Sequence, residues 1–513
     1  MDASTGAQGA PREVIDKGLK KNALGFVSSV VIGVASTAPG YSLAAVLSLI
    51  VVAVGFQAPA VLILAFLPML FVAASYYYMN RADPDCGTTF SWVTRAMGPW
   101  AGWMGGWAII VADIIVMANL AQIAGLYTFQ LFDWQSAADS TFAVTLVGVV
   151  WIAVMTAICV YGIELSARTQ VGLLGAEVIT LALFAIVALV KVYAGDAPDG
   201  SINPHISWFS PFAIDSIDGL TAGLLVAVFI YWGWDSTVCV NEETSDSGTT
   251  PGRAAIASTI ILVGIYVFVA AAAIAFAGAE RIAGDESGDA LGLLGTEVLG
   301  SPFDKLVVIA VLTSAAASTQ TTILPTSRTS LSMARAKAAP ASLGLVHPRY
   351  MTPHVSTILM GVFSIVWYVG LTLVSENILF DSIAALGLMI AFYYGLTGYA
   401  CAWYYRRELG KSTKTFLLVG VAPLLGALIL TYVFIKSCID LADPENSTAG
   451  TSWIGLGPPL VIGIGFLLMG AVLMVLWYLG GHREFFRRKP EVADVGSLEG
   501  PPPSAPAPTA GVA

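Results

Sequence analysis

Twelve long apolar segments occupy most of this chain, and they constrain its fold more than any other feature. A bilayer core about 30 Å thick needs roughly 20 consecutive apolar residues per helix. The segments, which we number spans 1 to 12, cover approximately residues 24–54, 58–79, 98–132, 141–161, 169–193, 219–241, 254–278, 303–334, 354–374, 380–405, 416–439 and 453–480. The sequence therefore predicts an all-α membrane protein that crosses the bilayer twelve times.

Composition supports this interpretation. Hydrophobic residues make up 57% of the 513 and charged residues 11%, which differs strongly from a soluble globular domain. Residues 1–22 are polar and run directly into a segment too long for the apolar region of a cleaved signal peptide. We expect these residues to form a cytoplasmic tail and span 1 to act as its own insertion signal.

Lysine and arginine are distributed unequally between alternate loops. When the N-terminus is placed in the cytoplasm, four of the 24 basic residues fall outside, namely Lys191, Arg281, Lys305 and Lys436. By the positive-inside rule this bias predicts a multi-pass protein of the cell membrane with both termini in the cytoplasm. The formal net charge of -10 arises largely from acids in the outer loops, so it indicates no nucleic-acid partner.

The middle of span 1 is a poor sequence for a continuous helix. It reads Gly33-Val34-Ala35-Ser36-Thr37-Ala38-Pro39-Gly40-Tyr41. Hydrocarbon offers no hydrogen-bond partner to freed backbone groups, so a break is tolerated only where protein or a wet cavity surrounds it. The segment is either a simple kink or part of a binding site.

Span 6 carries a second interruption. It combines Gly223 with the run Tyr231-Trp232-Gly233-Trp234-Asp235, in which three aromatic residues and a carboxylate lie at membrane depth. Interrupted segments at corresponding positions of two halves are typical of transporters built from inverted repeats. We therefore predict one five-helix repeat over residues 23–193 and another over residues 194–410. Spans 11 and 12 follow within residues 411–480, and a disordered tail rich in Pro and Ala covers residues 481–513.

The paired breaks predict a substrate site at the bilayer midplane. Amides at the N-terminus of a half-helix attract a carboxylate, and unwound carbonyls attract an ammonium group. We predict that the substrate carboxylate binds to the segment that contains Ala35, Ser36, Thr37, Ala38 and Gly40. We predict that the substrate ammonium group binds to the segment that contains Tyr231, Trp232, Gly233, Trp234 and Asp235.

Further motifs make the chain resemble the amino acid/polyamine/organocation (APC) permeases over about residues 20–410. They are residues 81–92 with Gly98-Pro99-Trp100, residues 162–170, Gly233-Trp234-Asp235 with Glu242-Glu243, and residues 327–353. The resemblance implies a LeuT-like five-plus-five inverted repeat and alternating access. It also implies that Phe229 covers the site and that Asp113 approaches the distal part of the pocket. There Asp113 would pair with a second cationic group, or else it would bond to another helix.

The same resemblance bears on the coupling ion. Glu177 stands where many proton-dependent members of the family carry a lysine. A glutamate there can bind and release a proton, help to hold a cation, or bond between helices without a coupling role. Ser318 and Thr319, with Ser314, could offer hydroxyl oxygens to a sodium ion, although such residues also line ordinary helix contacts.

Other classes of protein fit the sequence poorly. It contains no GxxxxGK[ST] motif, and its acids are too scattered for a membrane-embedded active site. The spacing of its cysteines and histidines predicts no metal site. We therefore expect neither an enzyme nor a cofactor, but a secondary transporter that imports an amino acid or organic amine, with a proton as the leading coupling ion. Import of a polyamine or cationic amino acid, substrate exchange and sodium coupling stay open.

Overall fold

The computed structural model describes residues 16–214, 216–284, 289–448 and 450–498, and no β-strand occurs among them. Ten helical stretches in this part of the chain are long and apolar enough to cross a membrane. The first of them, Phe26–Ala82, contains spans 1 and 2, and the shorter apolar helix Ile217–Ile230 belongs to span 6. The twelve predicted spans are therefore confirmed.

The spans have defined bounds. They are Phe26–Ser36 (1a) and Pro39–Val54 (1b), Ala58–Ala82 (2), Pro99–Leu131 (3), Thr141–Tyr161 (4), Ile163–Ala194 (5), Ile217–Ile230 (6a) and Ser236–Cys239 (6b), Thr250–Ala277 (7), Lys305–Arg335 (8), His354–Val374 (9), Glu376–Tyr404 (10), Thr413–Asp440 (11) and Pro458–Leu479 (12). Span 11 includes a π-helical turn at Phe416–Val421. Shorter helices are Thr89–Met97, Gln135–Ala138, Ala279–Ala283, Ala290–Leu299 and Arg483–Phe486. Single 3-10 turns lie at Gly55–Gln57, Ile206–Phe209, Pro211–Ala213, Asn241–Glu243, Ala341–Gly344 and Pro444–Asn446.

Span 1 breaks more sharply than the sequence suggested. Span 1a ends at Ser36, and only Thr37 and Ala38 separate it from span 1b. Ala38 has a φ of 47°, in the left-handed region. Pro39 starts the second helix, where its missing N–H costs nothing and its fixed φ is already suited to the helix.

Span 6 breaks where the aromatic run predicts. Helix 6a ends at Ile230 and helix 6b begins at Ser236. Gly233 lies in the middle of the break with a φ of 117°, a conformation that L-residues with a side chain rarely adopt. The predicted discontinuity of span 6 is confirmed.

The two predicted repeats interlock. Each of spans 1 to 4 packs directly against the span five positions later in the chain: 1 against 6, 2 against 7, 3 against 8 and 4 against 9. Short helices also follow spans 2 and 7, at Thr89–Met97 and Ala290–Leu299. Spans 11 and 12 both pack on span 10, outside the repeats.

The predicted tails lie partly outside the described residues, at residues 1–15 and 499–513. The described beginning of the C-terminal tail packs against the protein. Phe485 is fully buried, and Arg95 binds Glu491 at 3.0 Å. This part of the predicted disordered tail is ordered because it has aromatic and charged partners on the helix bundle.

Candidate substrate site

The two breaks meet in one buried junction. The hydroxyl oxygens of Ser36 and Ser236 lie 2.8 Å apart and are hydrogen-bonded. A Cβ atom at Gly233 would lie 2.6 Å from the carbonyl oxygen of Ser36. Gly233 is therefore required both by its own backbone conformation and by the close approach of span 1.

The amides that begin helix 1b already have partners. The N–H of Gly40 donates to Glu177 Oε1 at 2.7 Å, and the N–H of Tyr41 donates to the Ser314 hydroxyl at 3.1 Å. Pro39 has no N–H to offer. In this conformation, the carboxylate bound at the N-terminus of helix 1b is therefore that of Glu177 and not that of a substrate.

The preceding amides are also satisfied, by span 1a. The N–H groups of Thr37 and Ala38 donate to Val34 and Ala35, both at 3.2 Å. The Thr37 hydroxyl donates to the carbonyl of Val34 as well, at 2.7 Å. The turn that closes helix 1a therefore uses up the donors of the break itself.

Hydroxyl groups donate hydrogen bonds to the backbone carbonyls of the same junction. Ser318 donates to the Ser36 carbonyl at 2.9 Å, and Tyr266 donates to the Ile230 carbonyl at 2.6 Å. Thr319 donates to Ala315 of its own helix at 2.8 Å. The structure thus places Ser318 at the break of span 1 and keeps the Thr319 hydroxyl on the backbone of span 8.

Asp235 is held by tyrosine hydroxyls. Tyr394 and Tyr393 donate to its carboxylate at 2.8 and 3.1 Å, and Tyr76 lies 3.5 Å away. Within the described part of the chain, no lysine or arginine pairs with Asp235. The sequence singled out Asp235 but not these tyrosines, because spans 2 and 10 meet span 6 only in the folded protein; the Tyr393-Tyr394 doublet within an apolar span was the available signal.

The aromatic residues in the break of span 6 mostly pack against other side chains and do not line the cavity. The indole N–H of Trp232 donates to the Tyr393 hydroxyl, and the Tyr231 hydroxyl donates to the Leu62 carbonyl at 3.0 Å. Trp234 stacks on Tyr394 with ring centroids 5.2 Å apart. These contacts connect the break of span 6 to spans 2 and 10.

Asp113 lies in the same polar interior. It is 2% exposed and accepts a hydrogen bond of 2.6 Å from the Thr326 hydroxyl of span 8. Thr326 lies nearer to the end of span 8 than to the cavity described next. In this conformation Asp113 connects spans 3 and 8.

A cavity of about 1010 Å³ enters the bundle from one side. We call the face that carries residues 196–214, 278–284 and 289–304 the opposite face, and the face that carries residues 16–25 and 241–249 the termini face. The cavity extends from the opposite face to Tyr41, Asn119 and Phe229. Phe229 is the one predicted substrate-binding residue of twelve that lines it, and the two breaks lie just beyond its inner end.

The cavity has an acidic mouth. Its charged lining residues are Asp289, Asp304, Asp440 and Lys305, and Lys305 forms an ion pair with Asp133. Asp440 forms an ion pair with Lys436, so both ammonium groups at the mouth are paired, and the carboxylates of Asp289 and Asp304 leave acids in excess of bases there, which favours cations. The outer loops, whose charges predicted the orientation of the chain in the membrane, therefore also form the entrance to the site.

The termini face is closed by two ionic contacts. Arg328 donates two hydrogen bonds of 2.9 Å to Glu243, and both side chains are fully buried. Lys17 donates to Asp85 at 2.7 Å and to Glu242 at 2.5 Å. We call the second contact the Lys17 clamp.

The residues that contact Lys17 are of types that could also bind a metal ion. Ligand atoms of Asp85, Cys86 and Glu242 lie within 4.8 Å of one another, but the Lys17 ammonium contacts all three, with the Cys86 sulfur at 3.6 Å. Backbone bonds reinforce the clamp, since the amides of Ala23 and Leu24 donate to the Glu243 carbonyl at 2.8 and 3.1 Å. An ion pair, rather than a metal ion, accounts for this cluster.

The opposite charges in the Lys17 clamp shift the pKa values of Lys17 and Asp85. Burial alone would lower the pKa of Lys17, but the carboxylates of Asp85 and Glu242 hold it well above its usual value. Burial would raise the pKa of Asp85, yet Lys17 and two serine hydroxyls lower it to about 2. The pKa of Asp85 thus lies below the ordinary value of about 3.9 for an unfolded chain. Asp85 therefore stabilises the fold fully above about pH 3.9, and this stabilisation is lost as the pH falls toward 2.

The amino acid permease family matches residues 21–477. The chain belongs to this family. The match extends over nearly all of the membrane domain, so the predicted resemblance and the LeuT-like fold are confirmed. The permease is a multi-pass membrane transporter and not an enzyme.

Several curated relatives agree with this assignment. An uncharacterized transporter of Mycobacterium tuberculosis is 26% identical over 454 residues, which cover 87% of this permease and 92% of the relative. The low-affinity putrescine importer PlaP of Escherichia coli is 22% identical, with 77% and 82% covered. The serine/threonine exchanger SteT of Bacillus subtilis is 23% identical, with 74% and 82% covered. The permease is similar to transporters of amino acids and of amines.

Proposed function

We propose that this permease imports an organic amine or an amino acid across the cell membrane by alternating access, with a proton as the coupling ion. The observation that carries the proposal is one-sided access to the paired breaks. A cavity extends from the opposite face to Tyr41 and Phe229, which adjoin the two breaks, while Arg328–Glu243 and the Lys17 clamp close the termini face. With the termini in the cytoplasm, as the positive-inside rule predicts, this conformation is open to the outside.

Glu177 is suited to couple a proton to movement of span 1b. Its Oε1 atom accepts the Gly40 N–H, and its buried Oε2 atom has no hydrogen-bond partner among the described residues. An ionised carboxylate stabilises the positive end of a helix, and a neutral acid does so less. Protonation of Oε2 would therefore loosen span 1b from span 5.

Sodium coupling is the less favoured alternative. A sodium site needs several oxygen atoms free to coordinate the ion. The Ser36 carbonyl already accepts from Ser318 and the Ser314 oxygen accepts from Tyr41, which leaves one lone pair of each for an ion, and the Thr319 hydroxyl is directed to Ala315 of its own helix. Exchange stays the main rival, because the similar SteT is a serine/threonine exchanger, whereas the similar PlaP is a putrescine importer and favours import of an amine.

Uptake into proteoliposomes tests this proposal. We expect a pH gradient, acidic outside, to stimulate uptake of radiolabelled putrescine or amino acids by the unmodified protein. Glu177→Gln removes the titrating group with little change of shape, so its uptake should lose the response to the gradient. The matched control is Glu164→Gln, which alters an exposed acid of the same helix and should leave the response intact.

Two outcomes would contradict the proposal. If the gradient has no effect while internal substrate accelerates uptake, the permease is an exchanger. If Glu177→Gln retains the normal pH profile, a different group carries the proton.

A further inference from the structure

We infer that the substrate is an organic cation without a carboxylate group, because the carboxylate of Glu177 occupies the helix end where a substrate carboxylate would otherwise bind. The inference deepens the proposed transport function and rests on it. It chooses the amine over the amino acid.

The first argument is that helix 1b has no vacant amide. Helix 1b is 16 residues long, so its N-terminus carries the positive end of a full helix dipole and suits an anion. Gly40 and Tyr41 donate there to Glu177 and Ser314, and the N–H of Ser42 closes the helix onto the Ala38 carbonyl at 2.8 Å. A second carboxylate would find no free donor and would be repelled by the first.

The second argument is that the deep site contains acids but no available base. Glu177 and Asp235 are 0% and 2% exposed; Glu177 bonds to the start of helix 1b, and Asp235 lies in the break of span 6. The buried Arg328 is engaged on both its Nε and Nη atoms by Glu243. Within the described residues, the single basic residue that lines the cavity is Lys305, at the mouth and paired with Asp133.

The third argument is that the cavity suits an ammonium group on an apolar body. The rings of Tyr41 and Phe229 line its inner end and can contact a cation through their faces. Asn119 donates one amide N–H to Ser382 at 2.9 Å, which leaves a second N–H and the carbonyl oxygen, and the oxygen can accept from an ammonium group. The acidic mouth concentrates cations before they reach this end.

Matched pairs of ligands test the substrate class directly. Putrescine and ornithine, cadaverine and lysine, agmatine and arginine, and 3-methylbutylamine and leucine each differ by one carboxylate. On the purified full-length protein, we expect the amine of the preferred pair to stabilise the fold and to compete for uptake at a concentration about tenfold or more below that of its amino acid, a difference of about 1.4 kcal/mol. Equal or tighter binding of the amino acids would overturn the inference while leaving transport intact.

Chemical rescue tests the helix end without using transport. Glu177→Ala should lower the melting temperature, and formate or acetate should restore part of it by taking the vacant place, whereas chloride at the same ionic strength should not. The unmodified protein and Glu164→Ala should show no such rescue. If folded Glu177→Ala is not stabilised by small carboxylates, the helix end is not an anion site and the inference fails.

A shape-preserving variant covers the case in which Glu177→Ala does not fold. Glu177→Gln removes the like charge, so the disadvantage of the amino acid in each pair should shrink several-fold. An unchanged ratio would contradict the inference. Absence of uptake of every amine and amino acid by the unmodified protein would instead reject the proposed function, and the rescue experiment would still report on the helix end.

Discussion

Single residues show how burial constrains the chemistry of this permease. Asp113 and Asp235 are both nearly inaccessible, but they are satisfied differently. One hydroxyl, that of Thr326, donates to Asp113, while Tyr393 and Tyr394 donate to Asp235. Ionisable groups inside a membrane protein need such partners, because an unpaired buried charge is expensive.

The geometry of Asp113 leads to a prediction about selectivity. Because its carboxylate bonds to Thr326 and does not line the cavity, we expect Asp113→Asn to reduce uptake of charged and neutral substrates by similar factors. Thr326→Val should reproduce the effect, since it removes the same hydrogen bond. Competition assays with cationic and neutral ligands measure this. A loss confined to cationic substrates would show that Asp113 reaches the substrate in another conformation, as the family resemblance suggests.

At the level of elements, the broken spans 1 and 6 act as a single unit. Ser36 and Ser236 bond to each other, and Gly233 lies against the Ser36 carbonyl. Side chains from spans 5, 7 and 8 satisfy the exposed helix ends. A rearrangement of either break must therefore exchange hydrogen bonds with three neighbouring helices, which fits two discrete arrangements rather than a continuous one.

Gly233→Ala tests this unit. The new methyl group would collide with the span 1 backbone and force an unfavourable φ, so we expect a loss of about 1–3 kcal/mol of stability and reduced uptake. Gly172→Ala is the matched control, because that helical glycine of span 5 has no atom within 4 Å of the added Cβ. Thermal denaturation in detergent measures both. Equal effects would mean that the breaks do not depend on close contact.

For the whole molecule, the defining feature is asymmetry between the two faces. The opposite face admits a large cavity with an acidic mouth. On the termini face, the N-terminal segment is fastened by Lys17 and by the parallel bridge between Leu24 and Thr244. Access from one side only is the condition for a carrier that alternates between conformations.

Removal of the clamp should shift this asymmetry. Lys17→Met leaves Asp85 and Glu242 without their cation, so we expect the termini face to open more often and Cys86, now fully buried, to react faster with a thiol reagent supplied from that side. The measurement uses a protein in which Cys86 is the remaining cysteine. Lys21→Met is the control, because Lys21 pairs with Asp16 in an exposed position. Unchanged labelling would show that the Arg328–Glu243 pair closes this face without help.

Local sequence was sufficient to place the spans and their breaks, because its signals act over short distances, whereas the LeuT-like arrangement was implied by the family resemblance. Apolar runs specify the spans through the thickness of the bilayer, and Pro39 and Gly233 specify the breaks through backbone sterics. The charge bias likewise predicts topology from loops alone. The sequence predicted Glu177 and Ser318 as candidates for ion coupling, and the structure places both against the break of span 1.

Only the tertiary structure decided which groups the breaks bind. The amides of span 1b face Glu177, 137 residues away, and Asp235 faces tyrosines about 159 residues away in both directions. No local pattern encodes such partners, because hydrogen bonds across the bundle depend on the relative rotation and depth of separate helices. The sequence determined where the helices break, and the folded bundle determined that a protein carboxylate meets the broken end of span 1.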